Sequence, residues 1–382
     1  LASNVRTCLD PRMGRKRRFQ GSRGTGESDD WKRFSWRGIG LDVPVSWELG
    51  AVHGDDRSGY FRLDDSFYTR VEAKWHNQTG GRPSLERIQE QYMAQLRGKG
   101  RHRKNVELIE GPVCRQVDEQ GSETCRFRWA AETEGSCLVR FCSACQRVLL
   151  IQVLSRAGMG GARLARRVLD SARDHSEDQQ CHWAVYDLAF HVPISFSLSS
   201  HQLQSGLLEF LFVDRDAILG VRRWSMADIM LKRGDLDLWL KKEYSELLRD
   251  SQWEKSVLAR EGDEGILVEG SYESKSARLV WPLLAMVPFG LGRRLPVNLC
   301  ASVAAQIWHC PSSNRILGVH LRDPDGRLEA FHEVAASLSC HRTFLEGNTL
   351  VEDGFRKTAI DGQEGHLSVR SSQESDGGMA KE

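Results

Sequence analysis

Leu41-Asp-Val-Pro44-Val-Ser-Trp-Glu-Leu49 is matched in the second half of the chain by Phe190-His-Val-Pro193-Ile-Ser-Phe-Ser-Leu198. Both read Leu/Phe-x-Val-Pro-x-Ser-aromatic-x-Leu. Further pairs follow in the same order: Ser58-Gly59 with Ser205-Gly206, and a short run ending at Trp75 with one ending at Trp224. Glu90-Gln-Tyr92 to Arg97 then answers to Lys242-Glu-Tyr244 to Arg249, and Phe141-Cys142 to Leu149 to His309-Cys310 to Leu317. Each series closes on an amphipathic stretch ending in histidine, His175 or His341. Collinear matches of this kind point to two copies of one unit, residues 34–175 and 183–341.

A chain of 382 residues is long for one domain at roughly 100–200 residues each, which agrees with two units. The reading divides it into a basic disordered extension (1–30), repeat 1 (31–178), repeat 2 (179–345) and a flexible polar tail (346–382). With a net charge of +1 and 27% charged residues, no global field draws the chain to nucleic acid or membrane. The first residues are basic and polar rather than apolar, so a cytoplasmic protein with ten cysteines held as thiols is expected.

Ile39, Leu41 and Val43 alternate as on a strand, and Pro44 ends it. Ser84 offers a helix cap ahead of Leu85, Ile88, Tyr92 and Leu96, which share one helical face, and Asp235 does the same in the second half. Residues 162–173 and the stretch from Leu328 read as closing helices. The expected fold class is α+β: a tandem duplication of an antiparallel-sheet domain with two helices on a common face of each sheet. This element order and the Val-Pro-x-Ser-aromatic signature resemble the Mog1/PsbP-like sandwich. The resemblance implies binding or assembly rather than catalysis, and carries no functional residues over.

The chemistry-bearing residues gather at one end of each unit. From the turn after Cys310 a strand runs out for about seven residues and a helix returns through about twelve, roughly 23 and 18 Å. Cys340 and His341 should therefore return beside Cys310, and Cys142, Cys145 and His175 should meet in repeat 1. Thiolate and imidazole donors at one point suit zinc, with Cys142 and Cys145 as a Cys-x-x-Cys pair. The same residues also fit half-buried thiols beside a histidine at a helix C-terminus. Arg147 and Arg315 open equivalent strands, either as hairpin-closing hydrogen-bond donors or as ligand forks.

Two surfaces suggest partners. Trp281, Leu283, Leu284 and Phe289 lie in an apolar loop that repeat 1 lacks, and a protein partner is the expected occupant. Arg15, Lys16, Arg17 and Arg18, then Arg101, Arg103 and Lys104, with Arg163, Arg166 and Arg167 on the closing helix, would serve a phosphate backbone. No Gly-x-Ser-x-Gly, Walker A, His-Glu-x-x-His or EF-hand signature is present. The leading expectation is a non-catalytic intracellular binding or assembly protein. A nucleic-acid-associated protein and an enzyme of unrecognised type are the alternatives.

Overall fold

A computed structural model describes residues 30–98, 106–115, 121–158, 160–175, 179–248, 251–260, 263–273, 300–340 and 356–357. The first half runs β1 (Trp31–Trp36), β2 (Ile39–Pro44), β3 (Glu48–Gly54), β4 (Ser58–Asp64), β5 (Thr69–Asn77), α1 (Leu85–Gly98), β6 (Glu107–Arg115), β7 (Ser122–Ala130), β8 (Thr133–Cys142), β9 (Arg147–Arg156) and α2 (Ala162–Asp170). The second runs β10 (Gln180–Val185), β11 (Leu188–Pro193), β12 (Ser197–Leu203), β13 (Leu207–Asp214) and β14 (Ala217–Ser225). Three short helices follow, α3 (Ala227–Met230), α4 (Leu236–Glu243) and α5 (Ser245–Leu248), with a 3-10 turn at Leu231–Arg233. The chain continues as β15 (Ser251–Arg260), β16 (Asp263–Glu273), β17 (Cys300–Cys310), β18 (Arg315–Asp323), α6 (Glu329–Ser337) and β19 (Arg356–Lys357).

Among the described residues three antiparallel sheets result. A seven-stranded sheet has the order β3-β4-β5-β9-β8-β7-β6, and an eight-stranded sheet β12-β13-β14-β18-β17-β16-β15-β19, so the two follow the same order apart from β19. The third sheet, β11-β10-β1-β2, joins the opening hairpins of the halves through Ser35 opposite Ala184. The first hairpin turns on Arg37 and Gly38, both at positive φ as a tight right-twisted hairpin favours, and in the second Tyr186 takes a positive φ. Trp36 and Trp183 meet edge to face across the joint at 5.1 Å, and one apolar core runs continuously from Phe34 and Leu41 to Phe190 and Phe210.

The α+β expectation is overturned: 56% of the described residues are strand and 19% helix, so the protein is predominantly β. Stretches such as Trp31–Trp36 and Glu48–Gly54, not read as strands in the sequence, complete the sheets. The helices do not share a face either. Leu85, Tyr92 and Leu96 of α1 pack with Val148 and Leu150, whereas Ala165 and Val168 of α2 join Leu149 and Ile151. Neighbours on one strand point to opposite faces, so the two helices lie on opposite sides of the sheet. The opening hairpin, rather than a second helix, accompanies α2.

Register also separates two tryptophans that the sequence pairs. Trp75 stands opposite Leu149, the third residue of β9, but the residue opposite Leu317, third in β18, is Arg223; Trp224 faces Ile316. A one-residue slip moves a side chain to the other face. Trp75 accordingly packs in the central core, and Trp224 against Leu240 and Tyr244. Cys114 and Cys125 are not thiols: they stand opposite each other on β6 and β7, with Cα atoms 4.0 Å apart, and form a disulfide. That pairing depends on register, which spacing alone does not reveal. No helix among the described residues is long and apolar enough to cross a membrane.

Candidate metal centre

The β8–β9 hairpin carries two of the donors. Cys142 ends β8 opposite Arg147, and Cys145 sits in the four-residue turn between them, where Gln146 takes a positive φ of 55°. The other two donors arrive after α2. There Arg173 pairs antiparallel with Gly40 of β2 through two backbone hydrogen bonds of 3.0 and 2.9 Å, which fixes Asp174 and His175 over the hairpin. Gly38 makes room for them, since a Cβ on it would lie 3.3 Å from the Asp174 carbonyl oxygen.

One donor atom from each of Cys142, Cys145, Asp174 and His175 lies within 4.8 Å of the others. Cys142 Sγ is 3.1 Å from His175 Nε2, and Cys145 Sγ donates to Asp174 Oδ2 at 3.2 Å. Around a tetrahedral zinc, with bonds of about 2.0–2.3 Å, ligand atoms stand roughly 3.3–3.8 Å apart, so small side-chain adjustments complete the shell. Burial opposes ionisation of Cys142, but the Cys145 backbone N–H and the His175 ring outweigh it and hold the thiol below its usual range. The Cys145 thiol is pushed up by burial and then by the Asp174 carboxylate. A divalent cation between them would reverse that second effect.

Arg147 supplies the framework. Its Nη1 donates to Asp174 Oδ1 at 2.8 Å, to the Asp174 carbonyl at 3.2 Å and to the Arg37 carbonyl at 3.3 Å. One guanidinium thus ties together the β1–β2 turn, the β8–β9 hairpin and the segment after α2.

A hairpin and a bridge stand in a similar arrangement in the second half, with other donors. Ser339 pairs with Ala189 as Arg173 does with Gly40, which brings Cys340 over the β17–β18 turn. Here Ser313 Oγ lies 3.0 Å from Cys340 Sγ and Cys310 Sγ 3.1 Å from Ser312 Oγ, and the Cys310 and Cys340 thiols meet, as their spacing implied. The carboxylate has changed place: Asp187 occupies the turn position of Gly38, and Arg315 Nε donates to its Oδ2 at 3.0 Å. His341 lies outside the described residues.

Three of the proposed zinc ligands therefore meet in the first half, and the sequence missed Asp174. Its signal was adjacency to His175 and alignment with Cys340. The apolar loop with Trp281, Leu283, Leu284 and Phe289 lies outside the described residues, as do Arg15, Lys16, Arg17, Arg18, Arg101, Arg103 and Lys104. Arg163 and Arg166 are exposed on α2, and Arg167 is spread over the Trp31 ring at 3.6 Å. Beside them Asp170 pairs with Arg126, and Glu110 with Arg128, so the described part of this surface carries mixed charge.

No protein-family profile and no curated protein matches the chain. Among solved structures it is similar to the cyanobacterial PsbP of Synechocystis sp. PCC 6803, with 16% identity and a TM-score of 0.30 over 41% of this chain and 98% of that one. It is also similar to the type VI secretion (T6SS) immunity protein TplEi of Pseudomonas aeruginosa, with 12% identity and a TM-score of 0.29 over 81% of this chain and 97% of that one.

Proposed function

We propose that the chain is a non-catalytic binding protein of two pseudo-repeated halves, whose first half carries a structural zinc ion. The observation that carries this is the convergence of Cys142, Cys145, Asp174 and His175 within 4.8 Å. Four protein ligands fill a tetrahedral shell and leave no position for a reacting water, which is the pattern of structural rather than catalytic zinc. The shared strand order of the large sheets and the matching bridges at Arg173 and Ser339 support the duplication.

A cysteine nucleophile is the competing reading, favoured by the Cys142–His175 contact. Cys142 is fully buried, however, and a substrate would have to displace the hairpin to reach its sulfur. Elemental analysis of the intact chain, purified without chelator and then dialysed against added zinc, tests the proposal. Stoichiometric zinc that Cys142→Ser abolishes and Cys310→Ser preserves is the expected result. A metal-free chain after zinc addition, with Cys142 alkylated rapidly by iodoacetamide in the native state, would transfer the site to the nucleophile reading.

A further inference from the structure

The second half has a cleft of about 780 Å³ at its junction with the first, and the charges of its described lining residues do not balance. Lys32 is paired with Glu48 at 2.5 Å. Arg223 and Arg315 both bind the single carboxylate of Asp187. Among the described lining residues three cations thus face two carboxylates.

The surplus has an open donor. Arg315 gives Asp187 its Nε at 3.0 Å, and among the described residues Asp187 is the one side-chain partner of this guanidinium, which has five N–H donors. Arg223, whose side chain is only 6% exposed, also has a buried Nε with no partner among the described residues. The equivalent arginine of the first half differs, because Arg147 spends its Nη1 on Asp174 and the Arg37 carbonyl. At the position of Arg223 the first half has Trp75, whose ring lies where a Cβ on Gly59 would come within 2.1 Å. Aromatic bulk in one half is thus replaced by charge in the other.

We infer that this cleft binds a monocarboxylate carrying an apolar body, its carboxylate seated on the η nitrogens of Arg315. One surplus positive charge matches one carboxylate; a phosphate dianion would leave a partly buried negative charge uncompensated. The guanidinium fork suits a planar two-oxygen acceptor, and Val45, Leu203 and Leu208 offer the apolar body its contacts. The inference does not rest on the metal centre, which uses other residues.

Titration calorimetry of the full chain with octanoate, 1-octanol and octylamine tests it. Octanoate should bind saturably, and octanol about tenfold or more weaker, the loss expected for a charge-assisted hydrogen bond. Arg315→Gln should weaken octanoate by a similar factor, Arg315→Lys by less, and Leu203→Trp should block the cleft without touching its charges. Cys142→Ser should leave octanoate binding unchanged, so loss of the zinc proposal would not carry this one with it. Equal affinity for octanol, octanoate binding untouched in both Arg315→Gln and Leu203→Trp, or no saturable binding of octanoate would overturn the assignment.

Discussion

Cys142 Sγ and His175 Nε2 lie 3.1 Å apart, one at the end of β8 and the other beyond α2, joined by the return of a helix rather than by neighbourhood in sequence. If they share a metal, ligand and stability are linked. With free zinc about a thousandfold above its dissociation constant, the ion contributes roughly 4 kcal/mol to the folded state. Chelation of the wild type should therefore lower its urea midpoint markedly, and the same treatment should barely move His175→Ala. Equal midpoints with and without chelator would argue against a bound structural ion.

The Arg147–Asp174 pair holds three segments together, with side chains 14% and 4% exposed. Removing one partner strands the other charge, which typically costs about 3–5 kcal/mol. Arg147→Leu should thus be strongly destabilising. The double variant Arg147→Leu/Asp174→Ala should lose less than the sum of the singles, a coupling that a double-mutant cycle in urea measures directly.

Gly38 sits at φ +77°, beside Asp174 and His175. Gly38→Ala should cost roughly 1–2 kcal/mol through the left-handed backbone alone. It should also weaken zinc retention, because the new methyl presses on the Asp174 carbonyl. Competition with a chromophoric chelator separates the second effect from the first; unchanged zinc affinity would mean that the segment after α2 has slack.

His320 is buried under the Tyr244 ring, with ring centroids 5.2 Å apart, and against Gly220. Burial, then the Arg222 charge, lowers its pKa from 6.5 to about 3. The folded state therefore resists a proton that the unfolded chain accepts below pH 6.5, so this group withdraws stability as pH falls from 6.5 towards 3. Between about pH 7.5 and about pH 4.5 the wild type should lose up to about 2–3 kcal/mol more than His320→Leu. Parallel pH profiles of the two proteins would show the ring to be solvated.

Local chemistry was legible where the signal is local. Ser84 caps α1 by accepting from the Arg87 N–H at 3.2 Å, and Asp235 caps α4 through Leu238 N–H at 2.9 Å, both as their side chains imply. Strand length and helical rise alone brought Cys142, Cys145 and His175 to one point. The strands at Trp31–Trp36 and Glu48–Gly54 were not legible, because their alternation mixes charged, glycine and aromatic residues whose burial depends on the partner strand.

What the residues determined by themselves is the order of turns, caps and donor-bearing hairpins, since each depends on contacts a few residues apart. Tertiary structure decided the rest through register and face. It placed Arg223 rather than Trp224 opposite the third residue of β18, and set Cys114 against Cys125. It also sent α1 and α2 to opposite sides of their sheet, and joined the halves through Ser35 and Ala184. In a pleated strand one step along the chain reverses the direction of a side chain. A pattern that names the right strand therefore leaves open what its residues touch until the partner strand fixes the register.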